Sequence, residues 1–101
     1  MLTFCFDIDG TICTQEDNYE DAKPLTARIR RINSLHASGH HIKLFTARGS
    51  VSGIDWRDRT ELQLTTWGVK YHELIFGKPH ADVYVDDKAC APNDFDWTDK
   101  E

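Results

Sequence analysis

Cysteine is scarce, and its placement does not suit structural work. Only Cys5, Cys13 and Cys90 occur in 101 residues. An odd number with no Cys-x-x-Cys spacing argues against a disulfide framework or a zinc site and fits reduced thiols in a cytoplasmic protein. Long apolar runs are missing as well, none approaching the ~20 residues a membrane-spanning helix needs. The opening residues, Met1 to Phe6, lack a basic stretch and run straight into Asp7, which argues against a signal peptide. Positive charge is in deficit: 12 Lys and Arg against 17 Asp and Glu leave a formal charge of -5. A general nucleic-acid-coating role is therefore disfavoured, because phosphate contacts are normally made by clustered cations. Repeats, low-complexity tracts and internal linkers are absent. With 40% hydrophobic and 29% charged residues, residues 1–101 read as one soluble domain.

What is present alternates between two kinds of segment. Leu2 to Ile8 is a short apolar run that meets a turn at Asp9-Gly10, the pattern of a buried strand. Cys13 to Lys23 is polar and acidic and reads as a loop. Pro24 suits the first turn of a helix that carries Leu25, Ile29, Ile32 and Leu35 at helical spacing and stops at Gly39. His41 to Thr46 reads as a second strand. After a Gly- and Ser-rich loop, Asp55 offers an N-cap for a helix from Trp56 to Trp67, ended by Gly68. A third strand is expected around Leu74 to Phe76 and a fourth at Asp82 to Val85. In the polar tail, Phe95 and Trp97 are expected to tuck back onto the body. The alternation predicts an α/β fold: a three-layer, Rossmann-like parallel sheet with helices on both faces and all strand carboxyl ends on one edge.

The unusual residues converge on that edge. Asp7 and Asp9 end strand one, Thr46 ends strand two, Lys78 follows strand three, and Asp86 and Asp87 end strand four. Residues two apart on a strand point to the same side. Gathered carboxylates repel unless a cation neutralises them, and Mg²⁺ is a hard ion that takes a few carboxylate or carbonyl oxygens plus waters. Lys78 and the Thr46 hydroxyl add donors suited to a phosphoryl group. A carboxylate nucleophile, a second carboxylate and Mg²⁺ make a site for phosphoryl transfer through an aspartyl-phosphate.

Four strings then resemble the haloacid dehalogenase (HAD) superfamily, in that family's order: Phe6-Asp7-Ile8-Asp9-Gly10-Thr11, Phe45-Thr46-Ala47-Arg48, Gly77-Lys78-Pro79 and Val83-Tyr84-Val85-Asp86-Asp87. Within it, the Thr-Ala-Arg, Gly-Lys-Pro and Val-Asp-Asp-Lys-Ala strings are similar to the bacterial capsule-biosynthesis phosphatases. The resemblance implies that Asp7 is the nucleophile and Asp9 the acid and then the base. It implies that Mg²⁺ is held by Asp7, the Asp9 carbonyl and Asp86, with Asp87 helping directly or through water. Thr46 and Lys78 would hold the phosphoryl group, with Gly10, Ala47 and Arg48 also bordering substrate. The segments after the first and second motifs are too short for a cap domain, so an open, capless site is expected.

Weaker features have plainer readings. Arg48 is balanced between a substrate contact and a surface charge. Arg57 and Arg59 are expected to pair with Asp58 or Glu61 on a solvated helix face, and Arg28, Arg30 and Arg31 to face solvent. His40 and His41 fall at the end of a strand away from the site, Cys5 reads as a small core residue, and Cys13 is no nucleophile while Asp7 holds that position. The leading functional expectation is a Mg²⁺-dependent phosphatase of a small phosphorylated metabolite, a sugar or polyol phosphate of surface-polysaccharide synthesis. A phosphatase of macromolecular phosphates and a non-enzymatic binding module are the alternatives. Neither nucleic acid nor membrane is an expected partner, and a second copy of the chain is expected to border the cleft near Gly49 to Arg59.

Overall fold

Alternation of large apolar and small or polar side chains decides which face of each strand is buried. In the computed structural model, which describes residues 1–98, β1 (Thr3–Asp7), β2 (His41–Thr46) and β3 (Glu73–Phe76) form a parallel sheet of three strands in the order β1-β2-β3. Phe6 lies opposite Leu44, and Leu44 opposite Leu74. Partners in register share a face, so Phe4, Phe6, Ile42, Leu44, Thr46, Leu74 and Phe76 line one side of the sheet. The opposite side carries Thr3, Cys5, Lys43 and Glu73. Cys5 is exposed there, and the core role read for it is corrected: it alternates with Phe4 and Phe6 and so points away from the core.

The helices supply the rest of the core. In α1 (Thr26–Ala37), Ile29, Ile32 and Leu35 are buried at helical spacing. The chain leaves α1 through Gly39 at φ 93°, which lets the His40 N–H donate to the Leu35 carbonyl at 3.1 Å. In α2 (Arg57–Thr66), Thr60 and Leu64 are buried, and Asp55 Oδ1 accepts from the Arg57 N–H at 3.0 Å, capping just ahead of the helix. Ile29, Ile32, Leu35 and Leu64 join Ile8, Ile12, Phe6, Ile42 and Leu44 in one cluster. Each fully buried aliphatic chain contributes roughly 1.5–3 kcal/mol. The result is the expected α/β class, a Rossmann-like parallel sheet flanked by helices, with no cap domain among the described residues. No helix among them is long and apolar enough to cross a membrane.

The expected fourth strand does not form. Residues 81–91 are all exposed, with Val83 and Val85 at 74% and 94%, and no sheet pairing involves Asp82 to Val85. The reason is topological. A further parallel strand requires a crossover of a dozen or more residues, whereas Gly77 to Ala81 alone separates β3 from this segment. Tyr84 instead sits beside Lys78, its ring centroid 4.3 Å from Nζ, and donates its hydroxyl to the Pro79 carbonyl.

The tail does return to the body. Phe95 meets Phe6 edge-on at 5.4 Å between centroids, and Trp97 lies 5.7 Å from the same ring. This packing overturns the solvent-facing reading of Arg28 and Arg31. Arg28 lies over Trp97 at 5.0 Å and donates to Asn93 Oδ1 and to the Thr11 carbonyl, while Arg31 donates to the Asp96 carbonyl. Long cationic chains cover apolar surface with their stems, and here they cover the tail.

Candidate active site

The carboxyl end of a parallel sheet gathers loops that leave different strands, and three loops meet here. After β1 the chain turns sharply: the Thr11 and Ile12 N–H groups both donate to the Ile8 carbonyl, and Gly10, at φ 81°, donates to the Cys13 carbonyl. The turn leaves Asp7 at the strand end and folds Asp9 inward. Asp7 Oδ1 is 3.4 Å from Lys78 Nζ, which arrives on the loop after β3. That loop is fixed by the Lys78 N–H donating to the Thr46 carbonyl at 3.2 Å. Burial raises the Asp7 carboxyl above the usual aspartate range, with the Lys78 ammonium pulling in the opposite direction.

Asp9 is held differently. Arg48, on the loop after β2, donates from Nε to Asp9 Oδ2 and from Nη2 to Asp9 Oδ1, both at 2.9 Å. Its side chain is 1% exposed and that of Asp9 13%. The Cys13 thiol lies 3.6 Å from Asp9 Oδ1, and burial, with the Asp9 charge next, pushes it up to about 12. A thiol with so high a pKa stays protonated, which matches the expectation that Cys13 is no nucleophile. Arg48 Nη1 donates to Thr60 Oγ1 at 3.1 Å and to Gln63 Oε1 at 2.6 Å, and the guanidinium lies 4.8 Å from the centre of the Tyr19 ring. The Arg48 guanidinium is therefore turned toward Asp9 and α2.

Thr46 is 1% exposed, and its hydroxyl accepts the Arg48 N–H at 3.1 Å. Asp7, Asp9, Thr46, Arg48 and Lys78 are thus linked in one cluster, with Gly10 and Ala47 adjacent to it along the chain. Asp86 and Asp87 stand apart. Asp86 Oδ1 accepts the Lys88 N–H at 2.8 Å, and no group of three metal-binding side chains is assembled among the described residues. The donor chemistry at Asp7 and the Asp9 carbonyl still suits Mg²⁺, which is commonly held by one or two carboxylates with waters.

Beside the cluster lies a cleft of about 230 Å³ whose lining includes Arg48, Ser50, Trp56, Arg57, Phe76 and Gly77. Gly49 also lines it. At φ 81°, a Cβ there would lie 2.2 Å from the Ile54 carbonyl oxygen, so only glycine fits. Arg57 lies over the Phe76 ring at 4.7 Å and pairs with Glu61 at 3.4 Å, one of the expected partners. Arg59 pairs with Glu20 at 3.3 Å rather than with its own helix, because Trp56 and Tyr19 bring that turn alongside. Thr60, Gln63 and Tyr19 belong to the site and are not identifiable from any motif. The available signal is that Thr60 and Gln63 share the face of α2 that carries Leu64, where apolar residues belong.

The architecture defines the class by fold, an α/β protein with a polar cluster at the carboxyl end of a parallel sheet. No family model and no curated protein matches the chain. Solved structures do. A structural-genomics target from Vibrio cholerae matches with a TM-score of 0.82 at 26% identity, over 92% of this chain and 85% of that one. A D,D-heptose 1,7-bisphosphate phosphatase from B. bronchiseptica, complexed with magnesium and phosphate, matches with a TM-score of 0.58 at 20% identity. That alignment covers 90% of this chain and 55% of the phosphatase, so the likeness is one of fold.

Proposed function

We propose that the chain is a phosphatase of the HAD type. The observation that carries this is Asp7 at the end of β1, 3.4 Å from Lys78, with Asp9 two residues on in the same cluster. The fold shared with a phosphatase that binds magnesium and phosphate, together with the four motif resemblances, supports the reading. Asp7 attacks phosphorus through a carboxylate oxygen. The bond from phosphorus to the leaving oxygen breaks, and the proton from the Asp9 carboxyl goes to that oxygen. Water then attacks the aspartyl-phosphate, gives a proton back to Asp9, and releases inorganic phosphate and the free Asp7 carboxylate. Lys78 stabilises the charge on Asp7 and on the phosphoryl oxygens, and Thr46 orients one of them.

Mg²⁺ is the proposed cofactor, with Asp7 and the Asp9 carbonyl as ligands; Asp86 and Asp87 would serve as further ligands once their exposed segment closes toward Asp7. When bound, it offsets the charge between two anionic reactants. The proposed substrate is a small sugar or polyol phosphate whose leaving group enters the cleft beside Trp56 and Phe76, since aromatic faces suit the apolar faces of a sugar ring. A second copy of the chain bordering Gly49 to Arg59 is the proposed means of enclosing that cleft, and sedimentation at micromolar concentration checks it: a monomer that hydrolyses small sugar phosphates efficiently overturns enclosure. The function itself is tested by phosphate release with Mg²⁺ from sugar phosphates, p-nitrophenyl phosphate, a phosphopeptide and a 5′-phosphorylated oligonucleotide. Turnover highest on a sugar or polyol phosphate is expected, the macromolecular substrates being the competing outcome. No release above that of Asp7→Asn on any of them overturns the phosphatase reading.

A further inference from the structure

We propose that Arg48 is a positioning residue that fixes the proton-transferring Asp9 carboxylate, with α2 and the Tyr19 turn fixing Arg48 in turn; the role of Asp9 in this rests on the phosphatase reading above. Both Asp9 oxygens are engaged by the planar fork of one guanidinium at 2.9 Å. A bidentate pair sets orientation as well as distance, which a single ammonium does not. The remaining nitrogen, Nη1, is taken by Thr60 and Gln63, and Gln63 Nε2 donates to the Tyr19 carbonyl at 2.8 Å. Tyr19 covers the guanidinium face. Three segments of the chain therefore converge on a cation that is 3% exposed as a residue.

The burial argues for a specific use. Removing a guanidinium from water costs several kcal/mol unless its donors are met, and four of the five N–H groups are met here without any substrate. An arginine placed to grasp a phosphate presents its fork outward; this one presents it to Asp9. Without Arg48, the contact left to the Asp9 side chain is the Cys13 thiol at 3.6 Å, a weak donor. A carboxylate that gives and then takes a proton within hydrogen-bond reach loses rate when it is free to turn.

The test compares Arg48→Lys, Arg48→Met, Asp9→Asn and the double variant Asp9→Asn/Arg48→Met with p-nitrophenyl phosphate and Mg²⁺. The expected result is a kcat loss of about 10-fold for lysine and about 100-fold for methionine, with KM unchanged or falling alongside kcat. A burst of nitrophenol should survive in Arg48→Met, because that leaving group departs without a proton. The double variant should be no slower than Asp9→Asn alone. A raised KM with unchanged kcat, or losses that multiply in the double variant, overturns the proposal. Gln63→Ala, a milder change, should show the same pattern at smaller size, and a raised KM there also overturns it. The contact itself is read without turnover by NMR. A slowly exchanging Arg48 Nε–H resonance that moves in Asp9→Asn supports the clamp, and a rapidly exchanging one overturns it. Absence of turnover in the unmodified protein removes the phosphatase reading and leaves this NMR result to decide the clamp.

Discussion

At the carboxyl end of the sheet, Asp7, Asp9, Arg48 and Lys78 meet in partly or fully buried positions and bond to one another. At the amino end, His36, His72 and His41 stack in a column with centroids 4.4 and 4.5 Å apart, and His41 reaches Glu73 at 2.6 Å. Both ends are polar, but their polar groups serve different partners. The amino-end imidazoles complete the backbone: His40 Nδ1 accepts the Leu2 N–H and His72 Nδ1 accepts the Ile42 N–H, each at 3.0 Å. Those rings are solvated or half-solvated and terminate strands. The carboxyl-end charges instead satisfy each other, with a raised Asp7 carboxyl and an inward-facing Arg48. Desolvated charges paired with one another mark the chemical end of the sheet.

Four substitutions or treatments sharpen that contrast. The largest effect is expected from Asp7→Asn, which should lower turnover by ~10⁴-fold or more, since an amide is a poor nucleophile. Its stability should move the other way. With its folded pKa above the unfolded value of 3.8, Asp7 favours the unfolded state increasingly as pH rises from 3.8 through the folded pKa. Asn removes that penalty, so the variant should melt at an equal or higher temperature at pH 7; a clearly lower one counts against the raised carboxyl. Next, chelation by EDTA with verified metal removal should abolish phosphate release and Mg²⁺ restore it. Full activity after removal counts against Asp7 and the Asp9 carbonyl as ligands.

The amino end should behave in the opposite way. His72→Ala should leave kcat unchanged and lower the melting temperature slightly through the lost Ile42 contact; a large kcat loss would erase the distinction between the two ends. The smallest effect is a pH dependence. Partial desolvation, then repulsion from His36 and His41, holds His72 below its ordinary value of 6.5. The unfolded chain thus binds this proton more readily, and stability should fall as pH drops from about 6.5 through the folded pKa. Glu73, held below its ordinary value chiefly by the His41 hydrogen bond, adds a loss at lower pH as it too is protonated. Thermal melts of the protein and of His72→Ala between pH 7.5 and 5 check this: the His72-dependent part of the slope should vanish in the variant.

Much of this was legible before any coordinates. β1, β2, α1 and α2 follow apolar spacing bounded by Asp, Pro and Gly, and these are local features. Asp7 and Lys78 come together because two parallel strands end on the same edge, which the alternation of elements already implies. Val83-Tyr84-Val85 misleads because composition marks a strand without revealing whether the chain has length to reach a partner. Arg48 misleads for a related reason. Its side chain is defined by Asp9, Thr60, Gln63 and Tyr19, drawn from separate segments, and nothing beside it in sequence tells an inward guanidinium from an outward one. Arg28 and Arg31 are obscure in the same manner, since partners of both lie in the distant tail.

The return of Phe95 and Trp97 to Phe6 has a consequence for how the protein comes into being. β1 is covered by a segment that lies far from it in sequence and is made well after it. While synthesis proceeds, Phe4 and Phe6 wait with their aromatic rings uncovered, and helix and strand pairing can run ahead of them in the middle of the chain. Completion is therefore a late event of long loop closure, in which chain entropy must be overcome before the rings meet. Until Phe95 and Trp97 arrive, those rings are a sticky surface on the nascent chain.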